Sequence, residues 1–241
     1  ITPDQIYAWS DANKTTPKTS APALADAMEL FRPYAEAGRG IVCFSISAGM
    51  STSGNVMRLA AEELGASDRI KVIDSANLST GIGLLVIEAA IMAKNNRTAS
   101  QIVSEIEKLK PNVRASFVVD TLTYLYRGGR CNAVAAMAGG VLKLHPRIVV
   151  EDGAMNASKK YRGKIASVVM NYVKDMEKDL KKARPERVFI THSGCEQETV
   201  EKVRAYLKEL DIFDEILETR AGGVVSSHCG PGTLGVLYIA K

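Results

Sequence analysis

Residues 40–55 read GIVCFSISAGMSTSGN. The first six, Gly40 to Ser45, form a short apolar run bounded by glycine, which predicts a buried strand. The hydroxyl-rich loop after it runs into Gly54 to Gly65, where Met57, Ala60 and Leu64 recur at helical spacing. Upstream, Leu24 to Ala37 carries another helical pattern, and downstream Arg69 to Asp74 (RIKVID) predicts the next strand. Helix, strand, helix, strand is the order of an α/β protein with a largely parallel sheet.

The same alternation continues to the end. Gly81 to Ala93 is apolar on nearly every face, so as a helix it is expected to pack against a sheet on several sides. Thr98 and Gln101 make a capping box ahead of Ile102, Ile106 and Leu109, and Pro111 stops that helix. Ala115 to Val119 predicts a strand. Residues 127–140 (RGGRCNAVAAMAGG) suit a linker or a close-packed helix. Arg147 to Glu151 and Ala154 to Tyr161 predict a hairpin turning at Asp152 and Gly153. A long charged helix is expected over Lys164 to Lys182, its Lys174 to Arg187 run a solvated face with a Glu177 and Lys181 pair. Then come a strand at Val188 to Thr191, a helix at Glu196 to Leu210 and a strand at Glu215 to Glu218. The closing SSHCGPGTLGVLYIA ties a Gly-rich loop to a final apolar strand. Two α/β domains are expected, 1–115 and 116–241, the first with a parallel Rossmann-like sheet.

Length and composition exclude several classes. At 241 residues with 46% hydrophobic and 24% charged residues, the chain can bury a core and is not a disordered segment. A net charge of +4, with 31 Lys and Arg interleaved among 27 Asp and Glu, gives no basic stripe for nucleic acid. Cys43, Cys131, Cys195 and Cys229 show no CxxC spacing, which fits a reducing cytoplasm. The longest apolar stretch, Gly81 to Ala93, is too short to span a bilayer and holds Glu88. No signal-peptide pattern opens the sequence, so a cytoplasmic location is expected; because it opens at Ile1, residues, and the first strand of the first domain, are expected before it.

Nucleotide motifs are missing. No GxGxxG links a strand to a helix, Gly81 and Gly83 follow a polar loop, and no Walker sequence exists. What the strand ends offer is hydroxyls: Ser45, Ser47, Ser51, Thr52 and Ser53 after the first strand, with Thr19 and Ser20 in the loop PKTSAP. Each alone reads as a helix cap, but a cluster over two loops beyond strand ends suits an anionic oxygen. His228, among the small residues of HCGPGT, can face a ligand, whereas His145 and His192 read as structural. Three histidines without HxH or HExxH spacing give no metal site.

These stretches together carry a resemblance. PKTSAP at 17–22, ISAGMS at 46–51, VIDS at 72–75, STGIG at 79–83, TLTYLYRGGR at 121–130, KYRGK at 160–164 and HCGPGTLG at 228–235 resemble the DegV family of bacterial fatty-acid-binding proteins, over essentially the whole chain. The resemblance implies a non-enzymatic, cytoplasmic protein of phospholipid metabolism that encloses one long-chain fatty acid between or beneath its domains. It implies no cofactor beyond that ligand and no membrane span, any membrane contact being transient. Thr19 and Ser51 would hold the carboxylate, with His228 at the same polar end. Arg162 would serve phosphoryl transfer or contact with a fatty acid kinase, to which the carboxylate is presented for acyl-phosphate formation. Where the family usually has SGT, this chain has Ser51, Thr52 and Ser53, and the family's early Asp-Ser or Asp-Thr motif would precede Ile1. Gly139, Ala135 and Ala136 would leave room for the acyl tail. The rival is a serine-dependent acyl hydrolase using Ser51 and His228, which lacks a GxSxG elbow and an acid to orient the histidine.

Overall fold

A computed structural model describes residues 1–130 and 144–241. In chain order its elements are α1 (Pro3–Asn13), α2 (Leu24–Glu36), β1 (Ile41–Ser45), α3 (Ser53–Glu63), β2 (Ile70–Asp74), α4 (Ser79–Lys94), α5 (Ala99–Leu109), a 3-10 turn, β3 (Val113–Val118), α6 (Thr123–Gly128), β4 (Leu144–Glu151), β5 (Ala154–Arg162), α7 (Ile165–Asp175), α8 (Glu177–Leu180), β6 (Ala183–His192), α9 (Gln197–Glu209), β7 (Glu215–Arg220), α10 (Gly223–Cys229) and β8 (Leu234–Ala240). They divide between two compact units. One holds Ser20–Val113 with the hairpin tip Asp152–Ala154; the other holds Ile1–Thr19, Arg114–Glu151 and Met155–Lys241.

In the Ser20–Val113 unit, β1 and β2 pair in parallel from Ile41 opposite Ile70 to Ser45 opposite Asp74, with α3 as the crossover. The helices on this pair are joined by small residues. Ala27, Phe31 and Ala35, four apart on α2, bury one face against Ala60 and Ala61 of α3, with Ala66 and Ile70 beneath. Because the strands run the same way, Ser45 and Asp74 end at the same edge. The loops beyond them are laced together: Ser75 N donates to Ser45 O at 3.2 Å and Ser47 N to Asn77 O at 2.9 Å.

The other unit is built on a six-stranded sheet of order β5-β4-β3-β8-β6-β7. The pairs β3 with β4 and β6 with β8 are antiparallel, while β6 and β7 run parallel with α9 between them. Val168, Val169, Tyr172 and Val173 of α7 and Val200, Val203 and Leu207 of α9 pack on Val188, Ile190, Leu234, Val236 and Tyr238. Tyr172 is fully buried, and its hydroxyl is not idle: it donates to Ser116 O at 2.7 Å and accepts from Val236 N at 3.0 Å, fixing α7 to β3 and β8.

Four elements differ from the sequence expectation. The helix expected over Lys164 to Lys182 breaks at Met176, whose side chain turns into the core, and β6 begins as early as Ala183 with an irregular register before Val188. The apolar α4 buries one face only, Gly81, Leu84, Leu85 and Ala89; Val86 and Ile91 are each 42% exposed. An all-apolar helix carries no moment from which its buried side could be read. The residues around His228 are the last turn of α10 rather than a loop. Finally, α1 was not anticipated although Thr2 and Gln5 form its capping box, with Pro3 opening the first turn.

Candidate functional site

Beyond the carboxyl ends of β1 and β2, the loop 46–52 carries Ser51. Its amide donates to Ser47 O at 3.1 Å, and its hydroxyl lies 2.8 Å from Ser53 Oγ and accepts from Ser53 N at 3.2 Å. Ser51 thus also does the capping work that Thr52, the residue before α3, leaves undone. A hydroxyl that accepts an amide proton still has its own proton to give, to Ser53 Oγ or to a ligand oxygen. Ser45, at the end of β1, has a buried hydroxyl without a partner among the described residues, and it faces Gly54, where an added Cβ would lie 2.7 Å away.

In the other unit Thr19 meets His228. Their Oγ1 and Nε2 atoms are 2.8 Å apart although 209 residues separate them in sequence. The imidazole lies against Gly128, the last residue of α6: a Cβ built there would sit 2.3 Å from Nδ1. Nδ1 is buried with no partner among the described residues. A proton on Nδ1 would bury a donor without an acceptor, so the surroundings favour the tautomer protonated at Nε2. That N–H donates to Thr19, whose hydroxyl then keeps its own proton. Burial pushes the His228 imidazole below its ordinary value, and Arg130 and Lys18 push it the same way. The Arg130 guanidinium is held there by its bond to Gly128 O at 2.8 Å.

The four residues predicted from sequence therefore fall into three places. Thr19 and His228 share one cluster, Ser51 belongs to the unit of β1 and β2, and Arg162 ends the edge strand β5 with its side chain exposed. Next to Arg162, Lys159 and Tyr161 both bond Asp175, at 2.6 and 2.7 Å. Gly139, Ala135 and Ala136, the residues expected beside the tail, lie outside the described residues, as does Cys131. Gly128 and Arg130 enter the sequence reading only within the stretch RGGR, Ser47 only as one hydroxyl of its loop and Gly153 only as a turn residue.

Nothing in this geometry resembles a nucleophile and base. The hydrogen-bond partner of Ser51 is Ser53, that of His228 is Thr19, and no acid approaches Nδ1 among the described residues. Burial raises the thiols of Cys43 to about 11 and Cys195 to about 12, leaving both protonated at neutral pH. His145 has its ring nitrogens 3.1 Å from Val119 O and 3.1 Å from Gly163 O, a structural bridge. His192 accepts from Cys195 N and lines a polar cleft of about 550 Å³ where β6 and β7 end. The charges that line that cleft have partners: Arg220 pairs with Asp4 inside it, and Glu218 with Arg204. Among the described residues no cluster of His, Cys, Asp and Glu could hold a metal, and no helix is long and apolar enough to cross a membrane.

Comparison with known proteins agrees with the motifs. A family model described as an uncharacterised-protein family, DegV, matches residues 1–241. A DegV domain-containing protein of Deinococcus radiodurans is 31% identical over 233 residues, covering 96% of this chain and 81% of that protein. One from Clostridium acetobutylicum is 31% identical over 246 residues, covering 100% and 85%. Among solved structures, a fatty-acid-binding DegV family protein of Thermus thermophilus aligns with a TM-score of 0.88 at 26% identity, covering 100% of this chain and 85% of that one. A stearic-acid-binding protein of Eubacterium ventriosum aligns at 0.83 with 27% identity, covering 100% and 84%. With its family model matched from first residue to last, this chain belongs to the DegV family.

Proposed function

We propose that the protein binds one long-chain fatty acid, with Thr19, Ser51 and His228 at the carboxylate, and that it acts as a carrier in the cytoplasm rather than as a catalyst. The observation that carries this reading is the Thr19 and His228 pair, which leaves a hydroxyl proton available beside two cations. Solved relatives that bind fatty acids support the ligand class. The energetics are sufficient. Burying a chain of about 16 carbons at about 0.8 kcal/mol per methylene supplies on the order of 10 kcal/mol. The polar end then has only to offset the desolvation of the carboxylate, which two or three donors do.

Thr19→Val and Ser51→Ala are each expected to weaken fatty-acid binding to delipidated protein by about 1 to 3 kcal/mol. Calorimetry checks this, together with mass spectrometry of lipid extracted from the purified wild type, where one long-chain fatty acid per chain is expected. Unchanged affinity in both variants, or extracts holding only water-soluble compounds, would overturn the reading.

The carboxylate is further proposed to be presented to a fatty acid kinase, with Arg162 serving transfer. Phosphorylation brings a phosphoryl group onto a carboxylate, so two anions approach each other, and a guanidinium that stays charged at neutral pH lowers that barrier. Arg162 is exposed on an edge strand, where a partner can reach it. Arg162→Ala should leave fatty-acid affinity unchanged while cutting kinase-dependent phosphorylation at least about tenfold, equivalent to about 1.4 kcal/mol. Wild-type rates in loaded Arg162→Ala protein would return this residue to the plain surface.

A further inference from the structure

The tip of the β4–β5 hairpin is far in sequence from the Ser51 loop yet bonded to it. Ser47, 2% exposed, sits at the centre of that loop and uses every polar atom it has. Its amide donates to Asn77 O at 2.9 Å, and its carbonyl accepts from Met50 N at 2.9 Å and Ser51 N at 3.1 Å. Its hydroxyl accepts from Gly49 N at 3.2 Å and donates to Gly153 O at 2.6 Å, across 106 residues. Both glycines leave little room for a side chain. A Cβ on Gly49 would come within 3.0 Å of Gly153 O, and one on Gly153 within 2.6 Å of Ser47 Oγ. Gly153 also has φ +73, and Asp152 before it has φ +50, the turn geometry that aims this carbonyl at the loop.

We infer that Ser47, held by Gly153, is a positioning residue for the carboxylate contact: it fixes the backbone of Ser51 and so the direction in which that hydroxyl donates. The inference rests on the proposed role of Ser51. Without the Gly153 bond the Ser47 hydroxyl keeps only the Gly49 amide, its proton has no acceptor in a buried loop, and the Ser47 carbonyl that anchors Ser51 N loses its fixed position. Because the role inferred for Ser47 concerns the carboxylate alone, the effect should be confined to ligands that carry one.

The test compares oleate with oleyl alcohol on delipidated wild type, Ser47→Ala and Ser51→Ala, each checked for folding by circular dichroism. Ser47→Ala is expected to weaken oleate about tenfold while changing oleyl alcohol by less than about twofold. Ser47→Thr, which keeps the hydroxyl, should restore most of the oleate affinity. Equal losses for acid and alcohol, or no loss for the acid, would overturn the inference while Ser51→Ala still discriminates the two ligands. If Ser51→Ala also fails to discriminate, the role of Ser51 itself falls and this inference with it. Should Ser47→Ala not fold, Gly153→Asn presses on the same hydroxyl from the other side, since asparagine tolerates positive φ, and the same acid-specific loss is required of it.

Discussion

Gly128→Ala is expected to reduce fatty-acid affinity more than a hundredfold, about 3 kcal/mol, although residue 128 is not one of the proposed carboxylate contacts. The new methyl group would lie 2.3 Å from His228 Nδ1, 3.2 Å from Cε1 and 3.3 Å from Cγ, so the imidazole has to leave. With it goes the 2.8 Å contact to Thr19, and the threonine hydroxyl is no longer oriented. A pH series provides the second readout. In the fold the imidazole titrates below its ordinary value, chiefly through burial and then through Arg130 and Lys18. A depressed imidazole contributes stability that is complete above the unfolded pKa, about 6.5, and is lost as the pH falls from there through the folded value. Thermal unfolding of wild type should therefore decline over that acid window, and Gly128→Ala should show a flatter profile. Wild-type affinity in the variant would mean that the ring does not occupy this position when ligand is bound.

Gly235→Val is expected to be the most destabilising single substitution, at about 3 kcal/mol or more. Gly235 lies on β8 between β3 and β6, opposite Thr191 of β6. A Cβ there would stand 2.7 Å from Ser116 O and 3.0 Å from Phe117 Cβ on β3. The obstacle is main chain in the middle of a sheet, which cannot swing aside as a side chain can. Urea denaturation should place the unfolding midpoint well below that of wild type. A midpoint within error of wild type would show that β3 and β8 are spaced more widely than this.

How much of this was legible in the sequence depended on the range of the interaction. The capping box at Thr98 and Gln101 and the turn at Asp152 and Gly153 are local chemistry, and both stand where the residues placed them. The helical conformation around His228 was hidden because GVVSSHC has low helix propensity. It is helical because α10 packs against both α1 and α6 and because Ser226 and Ser227 return their hydroxyls to Ala221 O and Val224 O. The same limit applies to the candidate site. Thr19, Ser51 and His228 stood out as polar residues among small ones, but a glycine that seats an imidazole from 100 positions away, or a hairpin tip that holds a serine, leaves no periodicity behind. Asp175 shows the converse: its two partners on β5, Lys159 and Tyr161, lie well outside the reach of helix-spacing rules.

The sheet order also sets a sequence of events in the cell. Residues 234–240, which form β8, leave the ribosome after every other strand of their sheet, yet β8 lies between β3 and β6. Until it arrives, β3 and β6 have no shared neighbour, and Tyr172 lacks the Val236 amide that completes its bonds. The contiguous stretch 20–113 is under no such delay and can collapse early, waiting only for residues 152–154. From the synthesis of β6 until that of β8, the nascent chain therefore carries β3 and β6 with one edge each unpaired, an interval in which a holdase chaperone has most to offer.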